Sequence, residues 1–118
     1  MKNRFTELNK RVINWADDKG ILDKATPLSQ MSKTIEEVEE TRDALFAQQN
    51  GVEFYLNGNS IKKKTEEEIM DGFGDILVTV LIGCKLQNID PLKALDLAVG
   101  IIEGRSGKMI DGKFVKDK

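Results

Sequence analysis

The chain of 118 residues contains no histidine, one cysteine and two prolines. The absence of histidine excludes Ser-His-Asp and Cys-His nucleophilic sites, histidine general bases and most zinc sites. A single cysteine, Cys84, excludes a disulfide framework within the chain, which favours a reducing, cytoplasmic setting. If the protein is an enzyme, its acid–base chemistry must come from carboxylates, lysines or metal-bound water.

Long hydrophobic runs and an excess of one charge are also missing. The longest apolar run, from Ile76 to Cys84, is too short to span a bilayer. Residues 1–10 are mixed polar and lack the apolar segment of a signal peptide. The formal net charge is −2, so charge does not favour nucleic acid or an anionic membrane as a partner. We expect one soluble, cytoplasmic domain covering residues 1–118.

Apolar residues at three- and four-residue spacing predict helices over most of the chain. The first helix is expected at about residues 4–18, with Gly20 ending it and a connection at 21–25. The second is expected at about 27–48, with Thr26 as N-cap and Pro27 in the first turn. Its apolar stripe comprises Leu28, Met31, Ile35, Val38 and Leu45. Two further helices are expected at about 66–87 and 91–103, which predicts an all-α bundle of four to five helices.

The segment between the second and third helices breaks this pattern. Residues 52–56 alternate apolar and polar side chains, and Asn57-Gly58 is a turn signal, which predicts a short loop or small hairpin. Thr65 and Glu68 then fit a capping box, with Thr65 as N-cap. After Asp75 the sequence is apolar nearly all round, which is typical of a helix buried on most sides.

Acidic residues recur one helical turn apart in the second and third helices. Glu37 and Glu40 share one face of the second, and Asp71 and Asp75 share one face of the third. A short connection favours antiparallel packing, which would place the two pairs across one gap. Four carboxylates in one gap repel each other unless cations lie between them, and carboxylate oxygens suit Mg²⁺ or Mn²⁺.

Each of these features also has a simpler explanation. Acidic runs such as residues 36–40 are usually solvated helix faces. A role in the helix cap is enough to explain Glu68, and a favourable interaction with the helix dipole is enough to explain Asp71. Trp15 fits an apolar stripe and is more often core than a platform for a base. Isolated basic residues are usually ordinary surface residues, and those considered as phosphate ligands are Lys33, Arg105, Lys108 and Lys113.

The ordered set of motifs resembles the all-α nucleoside triphosphate pyrophosphohydrolases, which include MazG-like proteins, dimeric dUTPases and dCTP pyrophosphatases. Their signature is EExxE followed by ExxD. Glu36-Glu37-x-x-Glu40 matches the first motif, and Gly74-Asp75-Ile76-Leu77 resembles the segment that carries the second. The tail at residues 104–116 is similar to the end of short phage- and Firmicutes-type MazG-like proteins. The resemblance covers about residue 15 to the end.

The chain departs from the family pattern at one position. If Asp75 is the aspartate of ExxD, the glutamate position is occupied by Gly72. If Glu68-x-x-Asp71 is the motif, Asp75 is an additional acid one turn later. The two alignments leave open which of these three acids bind metal.

The resemblance implies a Mg²⁺-dependent hydrolysis of nucleoside triphosphates to monophosphate and pyrophosphate, with Mn²⁺ as a further cation. By the same resemblance, the metal ligands would be Glu37, Glu40, Asp71, Asp75 and Glu68. Glu36 or Glu37 would accept a proton from water. Lys33, Arg105, Lys108 and Trp15 would contact the substrate, and Phe54 and Tyr55 are further candidates. The family also implies a homodimer or homotetramer.

A non-catalytic function remains open on the sequence. The chain would then be a helical dimer that binds a partner protein, with its acids solvated, or a nucleotide-binding protein without turnover. Mg²⁺ should raise the melting temperature of the enzyme, because it binds the native state, but not that of the partner-binding dimer. Metal-dependent nucleotide binding without turnover would identify the nucleotide-binding form.

Overall fold

The computed structural model describes residues 3–56 and 62–118. In this part of the chain, five helices and four short strands are present: α1 (Arg4–Asp18), α2 (Ile21–Lys24), α3 (Pro27–Gln49), β1 (Phe54–Leu56), β2 (Lys62–Lys64), α4 (Thr65–Leu86), α5 (Pro91–Glu103), β3 (Gly107–Ile110) and β4 (Lys113–Lys116). The mostly helical character confirms the predicted class, with two antiparallel strand pairs added. Within these ranges, no helix combines the length and hydropathy needed to cross a membrane.

The chain divides into two compact units, Met1–Asn88 and Ile89–Lys118. In the second unit, Asp90 caps α5 by accepting hydrogen bonds from the backbone N–H groups of Leu92 and Lys93. The sequence predicted α5 but no structure after it. The tail instead forms the β3–β4 hairpin, whose turn places Asp111 and Gly112 at φ of 51° and 79°. Both residue types tolerate this left-handed conformation, and Asp-Gly is a favoured hairpin turn.

The helix starts of the first unit follow largely from local chemistry. Thr26 caps α3, and Ser29 completes a reciprocal capping box with it. Asn3 caps α1, and its side-chain oxygen accepts hydrogen bonds from the backbone N–H groups of Phe5 and Thr6. Gly20, at φ of 76°, ends α1 as predicted. The expected connection after it is instead the single-turn helix α2.

The predicted start of α4 is wrong by one residue. Lys64, not Thr65, occupies the N-cap position, and no side chain caps the helix there. Thr65 is the first helical residue, and its hydroxyl oxygen is buried without a hydrogen-bond partner. Because strand β2 runs directly into α4, the backbone N–H of Thr65 donates to the carbonyl of Glu53. Glu68 therefore does not complete a capping box and is available for another role.

Helices α3 and α4 pack antiparallel and form the centre of the first unit. The side-chain amide of Gln30 donates to the backbone carbonyl of Thr79 at 3.2 Å, and both residues are buried. Further along, Thr41 lies directly against Gly72. The α3 residues that approach α4 are therefore mainly polar or small. They lie about a quarter of a turn from the predicted apolar stripe.

The apolar stripes of both helices remain exposed in the single chain. On α3 the exposed fraction reaches 81% at Leu28, and on α4 it is 76% at Met70 and 61% at Leu77. The prediction that α4 is buried on most sides is thus wrong for the isolated chain. The exposed residues recur at helical spacing as Leu28, Met31, Ile35, Val38 and Leu45 on α3, and as Met70, Phe73, Leu77 and Val80 on α4. Stripes of this length are unusual on a monomer surface.

Candidate functional site

Glu37 of α3 interacts electrostatically with two other acids, Glu40 on its own helix and Asp75 on α4. The side chain of Glu37 is only 14% exposed. Burial, followed by the negative charges of Glu40 and Asp75, raises the pKa of Glu37 above its usual value, while Lys33 acts in the opposite direction. A hydrogen bond with Glu40 further favours the protonated form. The antiparallel helices therefore bring Asp75 of α4 near Glu37 of α3, which is part of the predicted arrangement. The other predicted member of the α4 pair, Asp71, forms an ion pair with Lys63 instead.

Lys33 lies on the same face of α3, one turn before these acids. Its ammonium nitrogen is 3.7 Å from a carboxylate oxygen of Glu36 and 3.8 Å from one of Glu37. Glu36 is the more exposed of the two acids. Lys33 thus partly balances the acidic cluster from within its own helix. Its predicted contact with substrate phosphate stays a prediction, and so do the proton-accepting roles of Glu36 and Glu37.

The β1–β2 hairpin contributes residues to the same region. Tyr55 and Lys63 are the middle residues of their strands, lie opposite each other across the pairing and are the less exposed members of each strand. Burial, and then the charges of Glu68, Asp43 and Glu40, raise the pKa of the Tyr55 hydroxyl. The Asn57-Gly58 turn predicted for this hairpin lies outside the described residues.

Lys63 forms ion pairs with two acids of α4. Its ammonium nitrogen donates a hydrogen bond to Asp71 and lies 3.7 Å from a carboxylate oxygen of Glu68. That oxygen of Glu68 is buried and has no hydrogen-bond partner. Glu68 thus belongs to the charged centre and not to a helix cap. Sequence reasoning missed Lys63, since a run of three lysines does not indicate which of them faces inward.

The five predicted metal ligands therefore fall into two sets, and Tyr55 interacts electrostatically with one acid of each, Glu40 and Glu68. One set is Glu37, Glu40 and Asp75, and the other is Glu68 and Asp71. Among residues 3–56 and 62–118, no group of three or more acids or cysteines is already arranged to hold a metal ion. Side-chain rotation would have to bring the oxygens together for metal binding.

A cleft of about 440 Å³ opens beside this centre, between α1 and α4. Asp75 and Trp15 both line it, so the structure places the predicted aromatic residue next to a predicted acid. Trp15 is 49% exposed, which contradicts the simpler explanation that it is a core residue. Arg11 adds a positive charge to the cleft, and the other walls are apolar: Leu8, Val12 and Val78. Arg11 is a second residue that sequence reasoning missed, because it lies on the polar side of an amphipathic pattern.

Arg105 and Lys108 belong to the second unit. Arg105 follows α5, and Lys108 lies in β3, where it pairs with Val115. Their predicted role in holding phosphate stays a prediction.

Comparison of the chain with protein-family models, with curated proteins and with solved structures found no match.

Proposed function

We propose that the chain is a divalent-metal-dependent nucleoside triphosphate pyrophosphohydrolase that releases pyrophosphate and a nucleoside monophosphate. The observation that carries the proposal is the convergence of Glu37 and Glu40 with Asp75 across the antiparallel helix pair. The pKa of Glu37 is raised chiefly by its burial and then by the repulsion from the negative charges of Glu40 and Asp75. Such an arrangement is costly for folding, which favours a cationic ligand as the reason for it.

The donor set fits Mg²⁺ or Mn²⁺. All the candidate ligands are carboxylates, which these hard cations prefer, and the buried oxygen of Glu68 still lacks a hydrogen-bond partner. Glu37, Glu40 and Asp75 would hold the metal, with Asp71 and Glu68 as ligands on the adjoining turns of α4. When bound, the metal supplies charge neutralisation for the phosphates and lowers the pKa of a coordinated water.

The chain's own residues would carry out the proton transfer and bind the substrate. In the reaction, the oxygen of a water molecule bonds to the α-phosphorus while the bond from that phosphorus to the pyrophosphate oxygen breaks. Glu37, or the more exposed Glu36, accepts the proton of the water. The ammonium group of Lys33 lies beside both acids. From this position it would contact a phosphate of the substrate.

The cleft beside Asp75 is suited to the nucleoside. Trp15 offers an aromatic face for a base, and the apolar walls exclude water. Arg11 provides a cation for phosphate, with the planar geometry that favours paired hydrogen bonds to phosphate oxygens. The base and sugar preferred would be set by the shape of this cleft.

We further propose that the chain functions as a homodimer or homotetramer. The exposed stripes on α3 and α4 are apolar and regularly spaced, and they flank the acidic face without belonging to it. Packing against the same stripes of a second copy would bury them in a larger helical bundle, as in the family that the motifs resemble.

Pyrophosphate release from a panel of nucleoside triphosphates, with and without Mg²⁺, tests the proposed activity. The wild type should release pyrophosphate only with the metal, and Glu40→Gln should lower the rate by about a hundredfold, because loss of even an outer-shell partner of a metal costs about 10- to 100-fold. Glu39→Gln is the matched control, since Glu39 is an exposed neighbour on α3. Release that persists without metal, or that Glu40→Gln leaves unchanged, would contradict the proposal.

The alternative is a nucleotide-binding or protein-binding helical module without turnover. If Asp75 is the aspartate of the second motif, Gly72 occupies the glutamate position, and the missing carboxylate favours this alternative. Metal-dependent nucleotide binding with no pyrophosphate release from any substrate would identify the nucleotide-binding form. A melting temperature that Mg²⁺ leaves unchanged, together with no release, would leave the protein-binding form.

A further inference from the structure

The ion pairs of Lys63 place a cation among the proposed metal ligands. We propose that Lys63 is a further functional residue of this site. Its ammonium group neutralises Asp71 and Glu68 in the metal-free protein, is displaced when a divalent cation binds them, and then contacts a phosphate oxygen of the nucleotide. This inference rests on the proposed function, because it assigns Asp71 and Glu68 to the metal.

The hairpin holds Lys63 in this place. Lys63 is the middle residue of β2, and its side chain is 29% exposed, whereas Lys62 and Lys64 on either side of it are exposed. Tyr55, its partner across the strand pair, interacts electrostatically with one of the same acids, Glu68. Since strand residues alternate between faces, the helix-facing position of Lys63 is fixed by the register and not by chance contact at the surface.

Two observations show that the ammonium group of Lys63 does not fully satisfy the carboxylates of Asp71 and Glu68. Lys63 donates a hydrogen bond to Asp71, but its nitrogen is 3.7 Å from the nearer oxygen of Glu68, beyond hydrogen-bond distance. That oxygen is buried and otherwise without a hydrogen-bond partner. A buried carboxylate oxygen without a hydrogen bond is costly to the fold, and a doubly charged cation stabilises it better than one ammonium group does.

A divalent cation and the ammonium group cannot both occupy the space between the two carboxylates, because they repel each other strongly at such distances. The flexible four-carbon stem of lysine lets the ammonium group swing away while the strand stays in place. The displaced charge then lies beside the metal, where the triphosphate arrives with several negative charges. Lysine binds phosphate as a point charge and needs no fixed geometry to do so.

Binding of Mn²⁺ in the absence of nucleotide, followed by electron paramagnetic resonance, tests the displacement. Lys63→Met should bind Mn²⁺ about two- to fivefold more tightly than the wild type, since it removes a competing ion pair of modest strength. Lys62→Met is the matched control, because it also removes one positive charge from β2. The side-chain nitrogen of Lys62 lies 5.2 Å from the centroid of the Phe54 ring, and adjacent strand residues point to opposite faces. Lys63→Arg keeps the charge and should leave the affinity near that of the wild type.

Nucleotide kinetics at saturating Mn²⁺ test the phosphate contact. Lys63→Met should raise KM severalfold, while Lys62→Met should not. An unchanged KM would overturn the phosphate contact. Circular dichroism establishes that each variant is folded, and Lys63→Gln, which also removes the positive charge, provides the test if Lys63→Met is not.

The outcomes separate this inference from the proposed function. If the wild type binds Mn²⁺ but Lys63→Met binds it equally or more weakly, the displacement is overturned and the metal site remains. The same holds if Lys62→Met tightens binding as much as Lys63→Met does, because the effect is then one of general charge. If the wild type binds no Mn²⁺, both the displacement and the proposed metal site are overturned.

Discussion

A β-carbon on residue 72 would lie 2.2 Å from the side-chain oxygen of Thr41. Thr41 is buried, and its hydroxyl donates to the backbone carbonyl of Glu37 at 2.8 Å, so it is held in place on α3. Gly72 is therefore the point at which α3 and α4 approach too closely for any side chain. This contact gives a physical reason for a glycine at this position, which is the glutamate position of ExxD if Asp75 is the aspartate of that motif.

The first prediction concerns the two glycines of α4. Gly72→Ala should destabilise the protein by about 1–3 kcal/mol, because the added methyl group forces the helices apart. Gly74→Ala should instead be neutral or stabilise by up to about 1 kcal/mol, since a β-carbon at residue 74 meets nothing within 4 Å and alanine is the better helix former. Urea denaturation of both variants measures the difference.

The pair of substitutions controls for helix propensity, which changes equally at both positions. Adding Thr41→Ala to Gly72→Ala should recover part of the lost stability, because it removes the clashing oxygen. Equal effects of Gly72→Ala and Gly74→Ala would show that the close approach is absent in solution.

The sequence predicted the long helices well because their signals are local. Thr26, Pro27 and Gly20 mark helix ends through hydrogen bonding and backbone conformation that involve only neighbouring residues. The approach of Asp75 to Glu37 was also predictable from helical spacing and a short connection, but the pairing of Asp71 with Lys63 was not.

The incorrect or missing predictions concern features that depend on contacts between residues far apart in the sequence. Strand β2 continues directly into α4, so pairing with β1 replaced the capping box expected from Thr65 and Glu68. The polar strip of α3, and not its apolar stripe, faces α4, because Thr41 and Gly72 permit the closest approach. No pattern along the chain shows that Lys63 turns toward α4 or that Arg11 faces a cleft.

The second prediction concerns the pH dependence of stability in metal-free buffer. The pKa of Glu37 is raised in the folded protein, chiefly by burial and then by Glu40 and Asp75. The protonated carboxyl therefore stabilises the fold fully below its unfolded pKa of 4.5, and this contribution is lost as pH rises through the raised value. Glu37→Gln stays neutral throughout, so its melting temperature relative to wild type should be higher at pH 7.5 than at pH 4.

Glu39→Gln is the control for this measurement, because Glu39 is exposed on the same helix. Its melting temperature relative to wild type should change little between the two pH values. A relative melting temperature of Glu37→Gln that falls as pH rises would contradict the assigned repulsion.

The third prediction concerns assembly through the exposed stripe of α3. Sedimentation equilibrium should give the wild type a mass of two or four times 13.2 kDa. Met31→Asp should shift the mass toward that of one chain, since it places a charge in the apolar contact. Ser32→Asp adds the same charge at an exposed polar neighbour and should leave the assembly intact. A wild type that sediments as a single chain at micromolar concentration would contradict the proposed oligomer.

The fourth prediction concerns the cleft between α1 and α4. Trp15 is the only tryptophan of the chain, so its fluorescence reports on this cleft alone. Adding nucleoside triphosphate with Mg²⁺ should change the emission saturably if the base stacks on the indole ring. Arg11→Gln should weaken the binding about tenfold, because it removes a charged hydrogen-bond donor to phosphate.

Arg4→Gln is the matched control, since Arg4 lies on the same helix but is exposed and pairs with Glu7 at 3.8 Å. It should bind the nucleotide as the wild type does. Inorganic pyrophosphate provides a second comparison: it carries the phosphate charge without a base, and it should compete for Arg11 yet leave the Trp15 emission nearly unchanged. If Arg11→Gln and Arg4→Gln bind the nucleotide equally, the cleft does not hold the phosphate. If pyrophosphate alone reproduces the full emission change, Trp15 senses charge and not a stacked base, and the nucleoside must bind elsewhere on the protein.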